Sequence, residues 1–118
     1  MVSEEDEINE RQKMRALTET EIVEAVRRGR REGQTEMVCR YAERIFAMVV
    51  RQVPNVMDAQ ELTQDTFLRA FSHIDRYEPQ KASLSTWLCR IAYRLTTSWR
   101  RCRNGYTPRL LRHSVILA

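Results

Sequence analysis

Asp58, Glu61 and Asp65 recur at three- and four-residue steps in a chain of 118 residues. On a helix that spacing stacks carboxylates on neighbouring turns, a negative face able to pair with the arginines of a partner. The cations follow a different pattern. From Lys81 to the C-terminus there are eight basic residues and no acidic one, Arg90, Arg94, Arg100, Arg101 and Arg103 among them. Phosphates are drawn to Lys and Arg whatever the base sequence, so an acid-free cationic stretch is a candidate nucleic-acid surface. With a net charge of +4 overall, the part before Lys81 is net acidic, would be repelled by DNA and suits a basic protein partner. Taken alone, both features also fit ordinary solvated faces.

The chemistry of catalysis is not written here in any recognisable form. There is no Gly-rich phosphate loop, no H-E-x-x-H and no nucleophile with a base partner, so a non-enzymatic protein without a cofactor is expected. His73 and His113 look incidental. Cys39, Cys89 and Cys102 are odd in number and far apart, with no C-x-x-C pair and no histidine at zinc spacing. They read as reduced thiols rather than a disulfide framework or metal site. Glu4, Glu5, Asp6 and Glu7 are the opposite of a basic signal-peptide start, and no apolar run approaches a membrane span, so a cytoplasmic location without membrane insertion is expected.

The elements that must carry these residues are helices. Hydrophobic residues make up 42% of the chain and charged ones 31%, with three glycines and three prolines, the balance of one globular domain. Residues 1–17 read as a flexible acidic arm. Thr18 and Glu21 fit a capping box opening a helix over about 19–29, with Gly29 and Gly33 bracketing a break. Val38, Tyr41, Ala42, Ile45, Val49 and Val53 recur at helical spacing and predict a second helix over 34–53, closed by Pro54. Asp58 and Glu61 repeat the cap logic for a third helix over 58–74. After the polar stretch Y-E-P-Q-K-A, Ser83 caps a fourth over 84–102, with Leu84, Trp87, Leu88, Ile91, Leu95 and Trp99 on one side. The expected fold is all-α, a small bundle of about four helices over 18–103, followed by a short basic tail over 104–118 and no second domain.

The stretch D-A-Q-E-L-T-Q-D-T-F-L-R-A-F at 58–71 resembles the signature of region 2 in extracytoplasmic-function sigma factors of the sigma-70 family. R-Y-A at 40–42, I-D-R-Y at 74–77 and S-T-W-L-C-R-I-A at 85–92 extend the resemblance in order and spacing over about half the chain. It implies a subunit that binds the core of bacterial RNA polymerase and recognises and melts the minus-ten element of promoter DNA. An anti-sigma factor is a further partner that the resemblance allows.

By that resemblance the third helix would dock on the β′ coiled coil through Asp58, Gln60, Glu61, Gln64, Asp65, Leu68 and Arg69. The loop and fourth helix would handle DNA. Lys81, Ser83, Ser85 and Thr86 would supply loop contacts, Arg90 and Arg94 a cationic face, and Arg100, Arg101 and Arg103 its extension along the backbone. Trp87 sits in the apolar stripe and is expected as support beside the site, while Tyr93 and Cys89 fall between the faces. Many family members carry Asn at the position of Arg94. A donor-only cation there replaces a neutral donor and acceptor, so the resemblance carries no base preference over to this chain. Complete members also continue into a helix-turn-helix domain, and nothing after Arg103 resembles one. Two other readings therefore stand beside the first: a truncated sigma-like protein that occupies polymerase without productive promoter recognition, and an independent helical DNA-binding regulator.

Overall fold

Gly29 and Pro54 punctuate the chain at two of the three places where the backbone turns between described helices. In the computed structural model, which describes residues 17–102, four helices run α1 (Glu19–Arg27), α2 (Arg31–Gln52), α3 (Val56–Ser72) and α4 (Leu84–Cys102), with a short 3₁₀ turn at Ile74–Arg76. The expected all-α bundle of four helices is the fold observed. The arm over 1–16, Arg103, and the tail with His113 lie outside the described residues. Leu17, expected to end the arm, packs against the core.

Local chemistry sets the helix ends. Thr18 Oγ1 accepts from the backbone N–H of Glu21 at 3.1 Å and opens α1. Gly29 ends it at φ 71°, a left-handed conformation that glycine adopts without strain, and the N–H groups of Gly29 and Arg30 close back on the carbonyls of Val26 and Ala25. Two boundaries differ from the expected ones. Gly33 does not belong to the break, because α2 begins at Arg31 and includes it. A Cβ at Gly33 would sit 2.5 Å from Ala25 Cβ and 2.9 Å from Val26 N. Glycine is there for close approach of α1 and α2. The second difference is at α3, where Asn55, not Asp58, is the cap. Asn55 Oδ1 accepts from Asp58 N at 3.1 Å, and the helix starts two residues early.

The longest helix, α2, packs against each of the other three. Met37, Tyr41, Ile45 and Val49 on α2 meet Ile22 and Val26 of α1, Leu62 and Ala70 of α3, and Leu84 and Leu88 of α4 in one buried cluster. Burying each of the Val, Leu, Ile and Met side chains stabilises the fold by about 1.5–3 kcal/mol. Thr63, Thr66 and Thr96 lie within it and donate to the carbonyls one turn back, at 2.7–2.8 Å, so burial leaves no hydroxyl unpaired. Among the described residues no helix is long and apolar enough to cross a membrane, and no cluster of three metal-ligating side chains occurs.

Candidate nucleic-acid interface

A cleft opens where the C-terminal end of α3 and the 3₁₀ turn lie beside α4. Arg69 and His73 come from α3 and its cap, Arg76 from the turn, and Trp87, Ile91, Arg94, Leu95 and Ser98 from α4. Its volume is about 310 Å³, and among the described residues no carboxylate lines it. The angular step of about 100° per residue explains the grouping: Trp87, Ile91, Arg94 and Ser98 follow one another at three- and four-residue steps along one flank of α4. Three guanidinium groups around one apolar wall can take a planar apolar ligand that carries negative charge.

Trp87 is half-buried and has two roles in this geometry. It packs on the buried ring of Tyr77 at 5.2 Å between centroids, and it lines the cleft. Tyr77 in turn donates from its hydroxyl to Ala82 O at 2.9 Å, which closes the loop into a compact turn. Arg27 on α1 donates to Tyr77 O at 3.1 Å and fixes the same turn from the other side. Burial raises the Tyr77 phenol above its ordinary value, and the negative charge of Glu19 adds to the effect.

The loop residues singled out in the sequence are brought together, but each already holds a protein partner. Ser83 Oγ accepts from Thr86 N at 3.2 Å and lies 3.0 Å from Thr86 Oγ1, so both residues serve the start of α4. Ser85 Oγ accepts from Arg44 on α2 at 2.7 Å. Lys81 is exposed and pairs with Glu78 at 3.3 Å, a surface bridge worth at most about 1 kcal/mol that a phosphate can displace. Arg90, Arg94 and Arg101 are exposed on the outward face of α4 and form no ion pair among the described residues. Arg100 donates to Gln52 Oε1 at 2.8 Å.

The α3 residues expected to bind a protein partner divide into three groups. Gln60, Gln64 and Leu68 point outward beside exposed Met57, with Leu68 49% and Met57 71% exposed. Asp58 and Glu61 are half-buried on the flank of that face, and Asp65 is buried at 8% exposure. The outward face is thus amide and apolar at its centre, with carboxylates at its edge. Arg69 lines the cleft instead. Beside this face an apolar groove between α2 and α3 is lined by Val38, Ala42, Phe67, Leu68 and Phe71.

Sequence reasoning passed over Arg76 and treated His73 as incidental, and both line the cleft. The one signal available was their position within I-D-R-Y and just before it, since neither belongs to a periodic stripe.

The comparisons with known proteins agree with this architecture. Residues 37–105 match the family model described as Sigma-70 region 2. The chain is similar to the ECF RNA polymerase sigma factor SigW of Bacillus subtilis, 32% identical over 74 residues that make up 63% of this chain and 39% of the relative. It is also similar to the ECF RNA polymerase sigma factor SigE of Mycolicibacterium smegmatis, 37% identical over 60 residues, 51% of this chain and 23% of the relative. RNA polymerase sigma-H factor of Pseudomonas aeruginosa is 32% identical over 72 residues, 61% and 37% of the two chains. The chain therefore spans well under half the length of the curated relatives it matches. No solved structure gives a significant match. The match covers more than half of the sequence and contains α3, the cleft and α4, so the chain belongs to the sigma-70 region 2 family, with extracytoplasmic-function sigma factors as its relatives.

Proposed function

We propose that this domain holds RNA polymerase through α3 and handles the melted minus-ten strand of a promoter through α4 and the cleft beside it. The observation that carries the reading is the cleft itself, with Arg69, Arg76 and Arg94 around the ring of Trp87 and no carboxylate of the described residues in its lining. An unstacked base is planar and apolar and is flanked by phosphates, so it matches such a lining, and taking it out of the stack requires a few kcal/mol that cationic contacts can offset. Phosphate attraction by Arg90 and Arg101 adds affinity without base preference. The Arg94 guanidinium offers donors only, which favours acceptor edges on the base it meets.

Docking on the polymerase β′ coiled coil falls to the outward face of α3. Met57, Gln60, Gln64 and Leu68 form its exposed centre, and Asp58 and Glu61 flank it with negative charge. That mixture suits a basic helical partner with apolar side chains at its middle.

The test is capture of bacterial core polymerase by the full chain, compared with a Gln60→Lys, Gln64→Lys, Leu68→Lys triple variant, followed by opening of a promoter fragment. Asp65 is left intact because a lysine at a buried position would disturb the fold. Capture by the wild type and loss in the variant are the expected result. No capture by the wild type sinks the reading. Capture without promoter opening would instead mark a protein that occupies polymerase, and specific duplex binding without polymerase would mark an independent regulator.

A further inference from the structure

Two cavities share α4 as their common wall. The cleft described above takes Trp87, Ile91, Arg94 and Ser98 from one flank; a groove of about 530 Å³ takes Tyr93, Thr96, Thr97, Arg100 and Arg101 from the other. Arg90, Arg94, Thr97 and Arg101 recur at three- and four-residue steps along the ridge between them. Tyr93 is 66% exposed, an aromatic ring spent neither on the core nor on the cleft. It stands about 12 Å along the helix axis from Arg101 and about 4.5 Å from Arg90, at a rise of about 1.5 Å per residue.

The opposite wall of the groove belongs to α2, with Met48 and Gln52 lining it. Gln52 Oε1 accepts from Arg100 at 2.8 Å and so holds a guanidinium across from α2. Arg44, Met48 and Arg51 follow at four- and three-residue steps, which puts two exposed arginines on the same flank of α2 as Met48. Arg44 already reaches across to α4, donating to Ser85 Oγ at 2.7 Å. Among the described residues no carboxylate lines the groove. An apolar peptide would leave these cations without partners. A nucleotide strand satisfies both parts, because each base offers a π face to the ring and each phosphate a charge to the arginines. A duplex does not, since its base faces are covered within the stack.

We propose that the groove between α2 and α4 is a second single-strand contact, in which Tyr93 stacks an unpaired base and Arg44, Arg51, Arg100 and Arg101 hold the neighbouring phosphates. The inference rests on the reading of α4 as a nucleic-acid surface and extends it to the far flank of that helix. A strand that crosses the α4 ridge engages the cleft on one side and the groove on the other, so the domain holds more nucleotides than the cleft alone accommodates.

The experiment uses the full chain, a fluorescently labelled single-stranded DNA of about a dozen nucleotides and the duplex of the same sequence, at low salt. Tyr93→Ala is compared with Tyr93→Phe and with an Arg90→Glu, Arg94→Glu double variant, helical content being checked for each. Tyr93→Ala is expected to weaken single-strand binding about tenfold, with a much smaller effect on the duplex. Tyr93→Phe keeps the ring and recovers most of the loss. Photo-crosslinking with 5-iodouracil in the strand is expected to label Tyr93. If the double variant loses affinity while Tyr93→Ala binds the single strand like the wild type and no crosslink reaches Tyr93, the groove is not a strand contact. If the wild type binds no single strand, or the double variant binds as well as the wild type, the nucleic-acid reading of α4 falls and takes the groove with it.

Discussion

The rings of Tyr77 and Trp87 meet at 5.2 Å with their planes inclined by 52°, which anchors the turn after α3 to the first turn of α4. Trp87→Ala removes that contact together with half-buried apolar area, and about 2–3 kcal/mol of stability is expected to go with it. Tyr77→Phe keeps the ring and loses only the hydroxyl bond to Ala82 O, for about 1 kcal/mol. Urea denaturation of both variants checks the order, and a Trp87→Ala loss no larger than that of Tyr77→Phe would contradict the anchoring.

Close approach of α1 and α2 depends on hydrogen as the side chain at Gly33. Alanine there forces Ala25 Cβ and Val26 N, at 2.5 and 2.9 Å, to move away, and overpacking of this kind costs about 1–3 kcal/mol. Gly29→Ala meets nothing within 4 Å and carries only the strain of φ 71°, about 1 kcal/mol. Thermal melts of the two variants should therefore rank Gly33→Ala as the less stable.

At the start of α3 the capping oxygen belongs to Asn55. Asn55→Ala should lower stability by about 1 kcal/mol, whereas Asp58→Ala removes only a first-turn charge, for about 0.3–1 kcal/mol. Chemical denaturation that ranked Asp58→Ala as the more damaging would return the cap to Asp58.

Alkaline pH should loosen the contact between α1 and α2. Burial raises the Tyr41 phenol above its ordinary value of 10.0, Glu19 raises it further by its charge and by the hydrogen bond at 3.3 Å, and Arg40 opposes them. A phenol whose folded value lies above the unfolded one stabilises the fold in its neutral form. That contribution is fully present below about pH 10 and is lost as pH rises through the folded value. Stability followed against pH should therefore fall above about pH 10, and Tyr41→Phe should make the fall shallower. An unchanged slope in the variant would assign the loss to other groups.

Helical periodicity made most of the bundle legible beforehand. The stripe Val38, Tyr41, Ala42, Ile45 and Val49 and the span of α4 were readable because apolar side chains at 3.6-residue spacing leave few other arrangements. The misplaced boundaries had a different origin. Gly33 reads locally as a breaker, and only the proximity of Ala25, eight residues earlier, turns it into a packing residue. Asn55 and Asp58 both satisfy the rule for a cap, and the choice between them lies in backbone geometry. The site was legible in part. Gln60, Gln64 and Leu68 are named through the family resemblance and are exposed, but the burial of Asp65 and the turn of Arg69 into the cleft come from tertiary packing that no local pattern encodes. Arg76 and His73 belong to no stripe and join the cleft only through tertiary structure.

The hydrogen bond from Arg27 to Tyr77 O joins α1 to the turn that supports Trp87, and Ile22, Val23 and Val26 of α1 are buried in the common core. Yet α1 precedes the family match, which begins at Met37. The stretch matched by the family model is therefore shorter than the packed core, which includes α1. A piece excised at the family boundary would bare the surface of α2 that α1 covers and remove the Arg27 donor from the turn beside the cleft.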